Sequence, residues 1–262
     1  MLTTTGLHYD LIGPRDGRVV CLVHSLAADT GMWREQMLPL LKAGHSVLRL
    51  DLPGHGGSAA RPGAYTMAGL AQDVVAVLDA AHVAAVDYVG LSLGGMVGQA
   101  LALAHPTRLR SVMICDALPQ SLPNADAIWG PRIREVRATR SCASIAEATL
   151  GRWLTPAYIA AHPIRAGEIL ATIAATHPDG YAGCAEAISA FDHVPHLPRL
   201  TLPVAVVCGE HDHAVPPAEG QRIAALVQNG RFHLVPGAMH LPNVECAEFF
   251  NALLLDWLAG CA

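Results

Sequence analysis

Short apolar runs recur along the chain, separated by longer stretches that repeat with a helical period. The runs "LHYDL", "VVCLVH", "SVLRLD", "DYVG", "SVMICD", "PVAVVCG" and "RFHLV" read as strands. Several are apolar almost throughout, as a sheet covered on both faces requires. Helical patterns span Met67 to Ala81, Gly94 to His105, Pro217 to Gln228 and Cys246 to Leu258. The last of these places Phe249, Phe250, Leu253, Leu254, Trp257 and Leu258 mostly on one face. Strands alternating with helices predict an α/β fold with a mostly parallel central sheet flanked by helices.

One interval breaks the alternation. About 85 residues separate "SVMICD" from "PVAVVCG" without a convincing strand, whereas a crossover between parallel strands needs roughly a dozen. Residues 118–198 therefore read as an inserted helical lid, with residues 1–117 and 199–262 forming the core.

Composition narrows the classes. Of 262 residues, 52% are hydrophobic and 15% charged, so a large buried core is expected rather than disorder. A net charge of −5 without any Lys/Arg run argues against nucleic-acid binding. No apolar run is long enough for a membrane span, and "MLTTTGLHYD" has no signal-peptide pattern, so a cytoplasmic protein is expected. The 7 Cys lack C-x-x-C spacing and read as reduced thiols. Nothing in the sequence specifies an oligomer.

The chemistry centres on "DYVGLSLGGM", where Gly90-x-Ser92-x-Gly94 joins a strand to a helix. A nucleophile on so sharp a turn needs small flanking residues, and the helix start supplies free N–H groups. The dinucleotide fingerprint fails because Ser92 holds its middle glycine position, and no Lys completes a P-loop. A serine hydroxyl needs a base. His240, in the loop between the last strand and last helix, falls where the chain order Ser, acid, His requires it. Asp212 and Asp116 both follow strands and could each orient that base; the reading favours Asp212. The oxyanion donors are expected to be the backbone N–H groups of Leu93, next to the nucleophile, and Leu26, in the loop after "VVCLVH". His211 and His213 lack the further ligands a metal site needs, so no metal is expected. "DLPGHGGS", including His55, reads as a structural turn.

Five segments, "VHSLAADTGMW", "DLPGHGGS", "VGLSLGGMVGQ", "CGEHDHAVPP" and "HLPNVE", together resemble the α/β-hydrolase fold and, within it, the 3-oxoadipate enol-lactonases. The likeness extends through "IWGPRIREVRA", "THPDGYAGCAEAI" and the closing "HLPNVECAEFFNALLLDWL". It implies the triad Ser92, Asp212 and His240, the oxyanion donors Leu26 and Leu93, no cofactor, and a small-molecule ester or lactone substrate within aromatic catabolism. Ser25 matches that group. Cys115-Asp116-Ala117 departs from it, since the group often has a neutral Asn-Thr pair there. A charged Asp116 would repel a substrate carboxylate unless paired. Arg132, Arg134 and Arg137 are candidates for that pairing or for the substrate carboxylate, and Trp129 and Trp153 for an apolar pocket wall, with solvated or packing roles as the plainer alternatives. The expectation is a serine hydrolase of esters or lactones. A general carboxylesterase, a C–C hydrolase, a perhydrolase and a non-catalytic receptor share the fold.

Overall fold

A computed structural model describes residues 1–261. All seven expected strands are present: β1 (Tyr9–Ile12), β2 (Val19–Val23), β3 (Ser46–Leu50), β4 (Val86–Leu91), β5 (Leu109–Cys115), β6 (Val204–Gly209) and β7 (Gly230–Val235). They form one sheet in the order β1-β3-β2-β4-β5-β6-β7. Only β1 runs antiparallel, paired with β3 at the edge. Every residue of β4 and β6 is buried; β6 accordingly reads as an unbroken apolar run, and β4 is interrupted only by Asp87, which accepts from Arg18 and from Ser111 Oγ.

The helices are α1 (Arg34–Lys42), α2 (Met67–Ala80), α3 (Leu93–Ala104), α4 (Ala125–Thr139), α5 (Ala143–Trp153), α6 (Pro156–Ala161), α7 (Pro163–Ala175), α8 (Pro178–Ser189), α9 (Pro217–Leu226), α10 (Pro242–Glu245) and α11 (Ala247–Gly260). A 3₁₀ turn, Thr30–Trp33, capped by the Asp29 side chain, leads directly into α1, which carries Pro39 in its interior. In α11 the buried stripe is Phe250, Leu254, Trp257 and Leu258, spaced by four, three and one. Phe249 lies outside that stripe and is half exposed, contrary to expectation.

Five helices, α4 to α8, intervene between β5 and β6. They pair among themselves, α4 on α8 and α5 on α7. The 7 cysteines are free, five of them buried. No helix among the described residues is long and apolar enough to cross a membrane.

The strand order also places the site. The chain goes from β2 outward to β3 and then crosses back to β4 on the other side of β2. Loops leaving the carboxyl ends of β2 and β4 therefore diverge, opening a crevice at that switch point. Leu26 lies on the first loop and Ser92 on the second.

Candidate active site

Ser92 occupies the single position between β4 and α3, with φ 54° and ψ −113°. That conformation is costly for a residue with a side chain, on the order of 1–3 kcal/mol. Its surroundings enforce it. The Ser92 N–H donates to Cys115 O at 2.8 Å and its carbonyl accepts from Met96 N–H at 2.9 Å. A Cβ on Gly94 would lie 2.2 Å from Val23 O, and one on Gly90 would lie 2.3 Å from Gly94 O. Both glycines are thus required by close backbone approach, and Tyr88 Oη ties the turn further by donating to Gly94 O at 2.6 Å. Ala27 (φ 62°) and Asp116 (φ 44°) also adopt the left-handed region, so three of the five non-glycine residues that do so among those described surround this crevice.

The loop after β2 is set by two buried histidines. His24 Nδ1–H donates to Ser25 O at 2.6 Å, leaving Nε2 to accept from Leu52 N–H at 2.9 Å. His55 Nδ1–H donates to Pro53 O at 3.0 Å, and its Nε2 accepts from Ala27 N–H at 3.0 Å. Burial keeps both rings neutral, depressing His24 and taking His55 down to about 3, with the neighbouring His24 adding to the latter effect. The "DLPGHGGS" turn is therefore a structural clamp, as its sequence suggested. His24 was not singled out, although its place directly after a buried strand was a signal. With Ala27 N–H engaged, the N–H groups of Leu26 and Leu93 remain: neither donates to a backbone acceptor among the described residues.

Asp212 and His240 meet beyond the carboxyl ends of β6 and β7, at the same end of the sheet as Ser92. His240 Nδ1 lies 2.7 Å from Asp212 Oδ2, and both residues are almost fully buried. Asp212 Oδ1 accepts from Ala214 N–H at 2.7 Å and Val215 N–H at 3.1 Å. Burial alone would raise the Asp212 carboxyl, but His240 and these N–H groups bring it below its ordinary value. Glu245 braces the histidine loop by accepting from Met239 N–H at 2.6 Å and from Thr155 N–H at 2.7 Å. The Trp153 ring lies beside His240, with centroids 6.3 Å apart. No Ser92–His240 hydrogen bond is formed among the described residues, but both line one cavity.

Asp116 is fully buried after β5; its Oδ1 accepts from Gly209 N–H at 2.8 Å, while Oδ2 has no partner. Asp116, Asp212 and His240 are the one grouping among the described residues that offers three possible cation ligands, with donor atoms within 4.8 Å of one another. The 2.7 Å His240–Asp212 separation is nevertheless that of a hydrogen bond. Two ligands of a tetrahedral zinc ion stand about 3.3 Å apart. His211 and His213 join no such grouping among the described residues.

The cavity that Ser92 and His240 line measures about 400 Å³, within the range of small-molecule sites. Ser25, Leu26, Trp129, Arg132 and Trp153 also line it. Arg132 lies over the Trp129 ring at 5.1 Å. Arg134 is exposed and Arg137 pairs with Glu186 at 2.7 Å; neither reaches the wall. Arg152 does, and sequence reading missed it because nothing in "GRW" distinguishes it from a solvated arginine. Its guanidinium donates to Thr149 Oγ1 at 2.9 Å. Burial and the nearby Arg132 charge lower its basicity. Among the described residues neither Arg132 nor Arg152 forms an ion pair, whereas Glu219 on the same wall is paired with Arg222 at 3.5 Å.

The α/β-hydrolase-fold family profile matches residues 18–246. The chain belongs to the α/β-hydrolase family. It is 30% identical to 3-oxoadipate enol-lactonase 2 of Acinetobacter baylyi, over 94% of this chain and 90% of that one. It is 33% identical to RutD of Variovorax paradoxus, a proposed carbamate hydrolase, over 97% of this chain and 96% of the relative. The crystal structure of the enol-lactonase from Burkholderia xenovorans superposes with a TM-score of 0.92 at 34% identity, covering 97% of this chain and 96% of that one. This α/β-hydrolase is thus similar over nearly all of its length to these enol-lactonases, and the resemblance read from its sequence holds.

Proposed function

We propose that this hydrolase cleaves a small lactone or ester bearing a free carboxylate, through an acyl-enzyme on Ser92. The observation that carries the mechanism is the buried His240–Asp212 hydrogen bond opening onto the same cavity as a serine held on a strained turn. Asp212 fixes the tautomer in which Nδ1 carries the proton, leaving Nε2 of His240 free to take the proton of Ser92. The Ser92 oxygen attacks the carbonyl, and the uncommitted N–H groups of Leu26 and Leu93 stabilise the oxyanion. His240 then protonates the leaving oxygen, and it activates the water that releases the acyl group. In a lactone the leaving oxygen stays tethered, so the cavity must hold both ends of one molecule until deacylation.

Arg132 and Arg152 support the carboxylate. Two guanidiniums without acidic partners in a largely apolar cavity repel one another, and an anion between them removes that cost. Trp129 and Trp153 form the apolar wall, Ser25 borders the oxyanion loop, and residues 118–198 act as the lid that carries the arginines. The named enol-lactonase relatives favour the same substrate class.

The test is kinetic. Ser92→Ala is expected to lower kcat by about 10⁶-fold while the protein stays folded by circular dichroism. The wild type is expected to show a higher kcat/KM for an anionic lactone than for neutral esters or a carbamate of similar size. Near-normal turnover by the variant would sink the mechanism, and a preference for the neutral or carbamate compounds would sink the substrate class.

A further inference from the structure

The catalytic scheme above gives Asp116 no part, yet it is buried beside the acid of that scheme. Its carboxyl group faces that of Asp212 closely: donor atoms of Asp116, Asp212 and His240 all lie within 4.8 Å of one another. Two carboxyl groups can share a hydrogen bond only if one keeps its proton. The surroundings decide which. Asp212 accepts two backbone N–H groups and His240 Nδ1–H. Asp116 accepts one N–H, from Gly209, and its other oxygen has no partner.

The remaining neighbours do not favour a second charge. From α10, Glu245 adds another carboxylate. From β5 and β6, Cys115 and Cys208 present thiols that burial keeps protonated. Among the described residues no Arg or Lys forms an ion pair with Asp116. Asp116 adopts a left-handed backbone (φ 44°) at the end of β5.

We propose that Asp116 is a neutral carboxylic acid that donates its proton in a hydrogen bond to the Asp212 carboxylate, and so acts as a positioning residue for His240. Burial first, and the Asp212 charge second, hold its carboxyl well above the usual carboxylate range, in keeping with this role. Neutral Asp116 also removes the objection raised by its position: it presents no negative charge to a substrate carboxylate. The role rests on the Ser92–His240–Asp212 reading.

Three variants and one label test it. The wild type is first labelled with a fluorophosphonate and the modified peptide mapped; absence of label at Ser92 removes the triad reading, and this inference with it. With the label in place, Asp116→Asn replaces a neutral donor by a neutral donor. Its kcat is expected to stay within about threefold of wild type. The acid limb of its kcat/KM profile is expected to superpose on that of wild type. Asp116→Ala leaves Asp212 without its donor, and kcat is expected to fall about 10- to 100-fold with KM nearly unchanged. Asp116→Leu, filling the volume without a donor, is expected to match the alanine variant. Infrared difference spectra at neutral pH are expected to show a protonated carboxylic acid band that Asp116→Asn removes, a readout independent of turnover and of side-chain volume. If Asp116 were ionised, Asp116→Asn would move the acid limb down by about one unit or more, and no such band would be lost. Either result, or an asparagine variant as impaired as the alanine one, overturns the proposal.

Discussion

On the sheet side of the cavity, Ser92, His240, Asp212 and the loop after β2 sit on main-chain turns whose polar groups are largely committed. His24, His55, Tyr88 and Glu245 each spend a side chain holding a loop or turn. On the helical side, Arg132 and Arg152 line the same space with no acidic partner. The first wall is fixed by close backbone approach, where a single added methyl group collides with a carbonyl. The second is made of long side chains on helices, which can change without disturbing the sheet. Under the proposed function, the difference separates reaction from selection: the chemistry would depend on geometry that the core enforces, and the substrate preference on charges carried by α4 and α5.

Substitution on the two walls should therefore fail in different ways. The largest effect is expected from Asp212→Asn. It keeps the shape but destroys the tautomer control of His240, and kcat should drop by about 10⁴-fold. A smaller loss than that of Asp116→Asn would transfer the acid to β5. Next, Arg132→Gln or Arg152→Gln should raise KM for an anionic lactone by about 10- to 100-fold and leave neutral-ester kinetics unchanged. Equal losses on both substrates would mean that the arginines hold the wall rather than the ligand. The smallest effect is in stability. Gly94→Ala, 2.2 Å from Val23 O, should cost about 1–3 kcal/mol in urea unfolding. Gly167→Ala in α7, with nothing within 4 Å of the added Cβ, should stabilise by roughly 0.5–1 kcal/mol. Similar values for the two would erase the contrast between the walls.

Much of this was legible in residue order. Short apolar runs located the strands, most plainly β2 and β6, where burial on both faces of a parallel sheet leaves little polar alternation to blur them; the edge strands β1 and β7 are only partly buried. Gly90-x-Ser92-x-Gly94 located the turn, because only glycine tolerates that approach of strand to helix. The same local logic was looser in α11, where Phe249 lies just off the buried stripe.

By itself, then, the sequence determined the order of elements, the strained serine, and the loops on which its partners had to lie, since these follow from short-range sterics and periodicity. Tertiary structure alone decided how groups far apart in the chain meet. It brought His240 onto Asp212 at 2.7 Å, and set the carboxyl groups of Asp116 and Asp212, from different strand ends, in one buried cluster with donor atoms within 4.8 Å. It also turned Arg152 inward beside Arg132. Each of these depends on distance and desolvation between segments that no local pattern encodes.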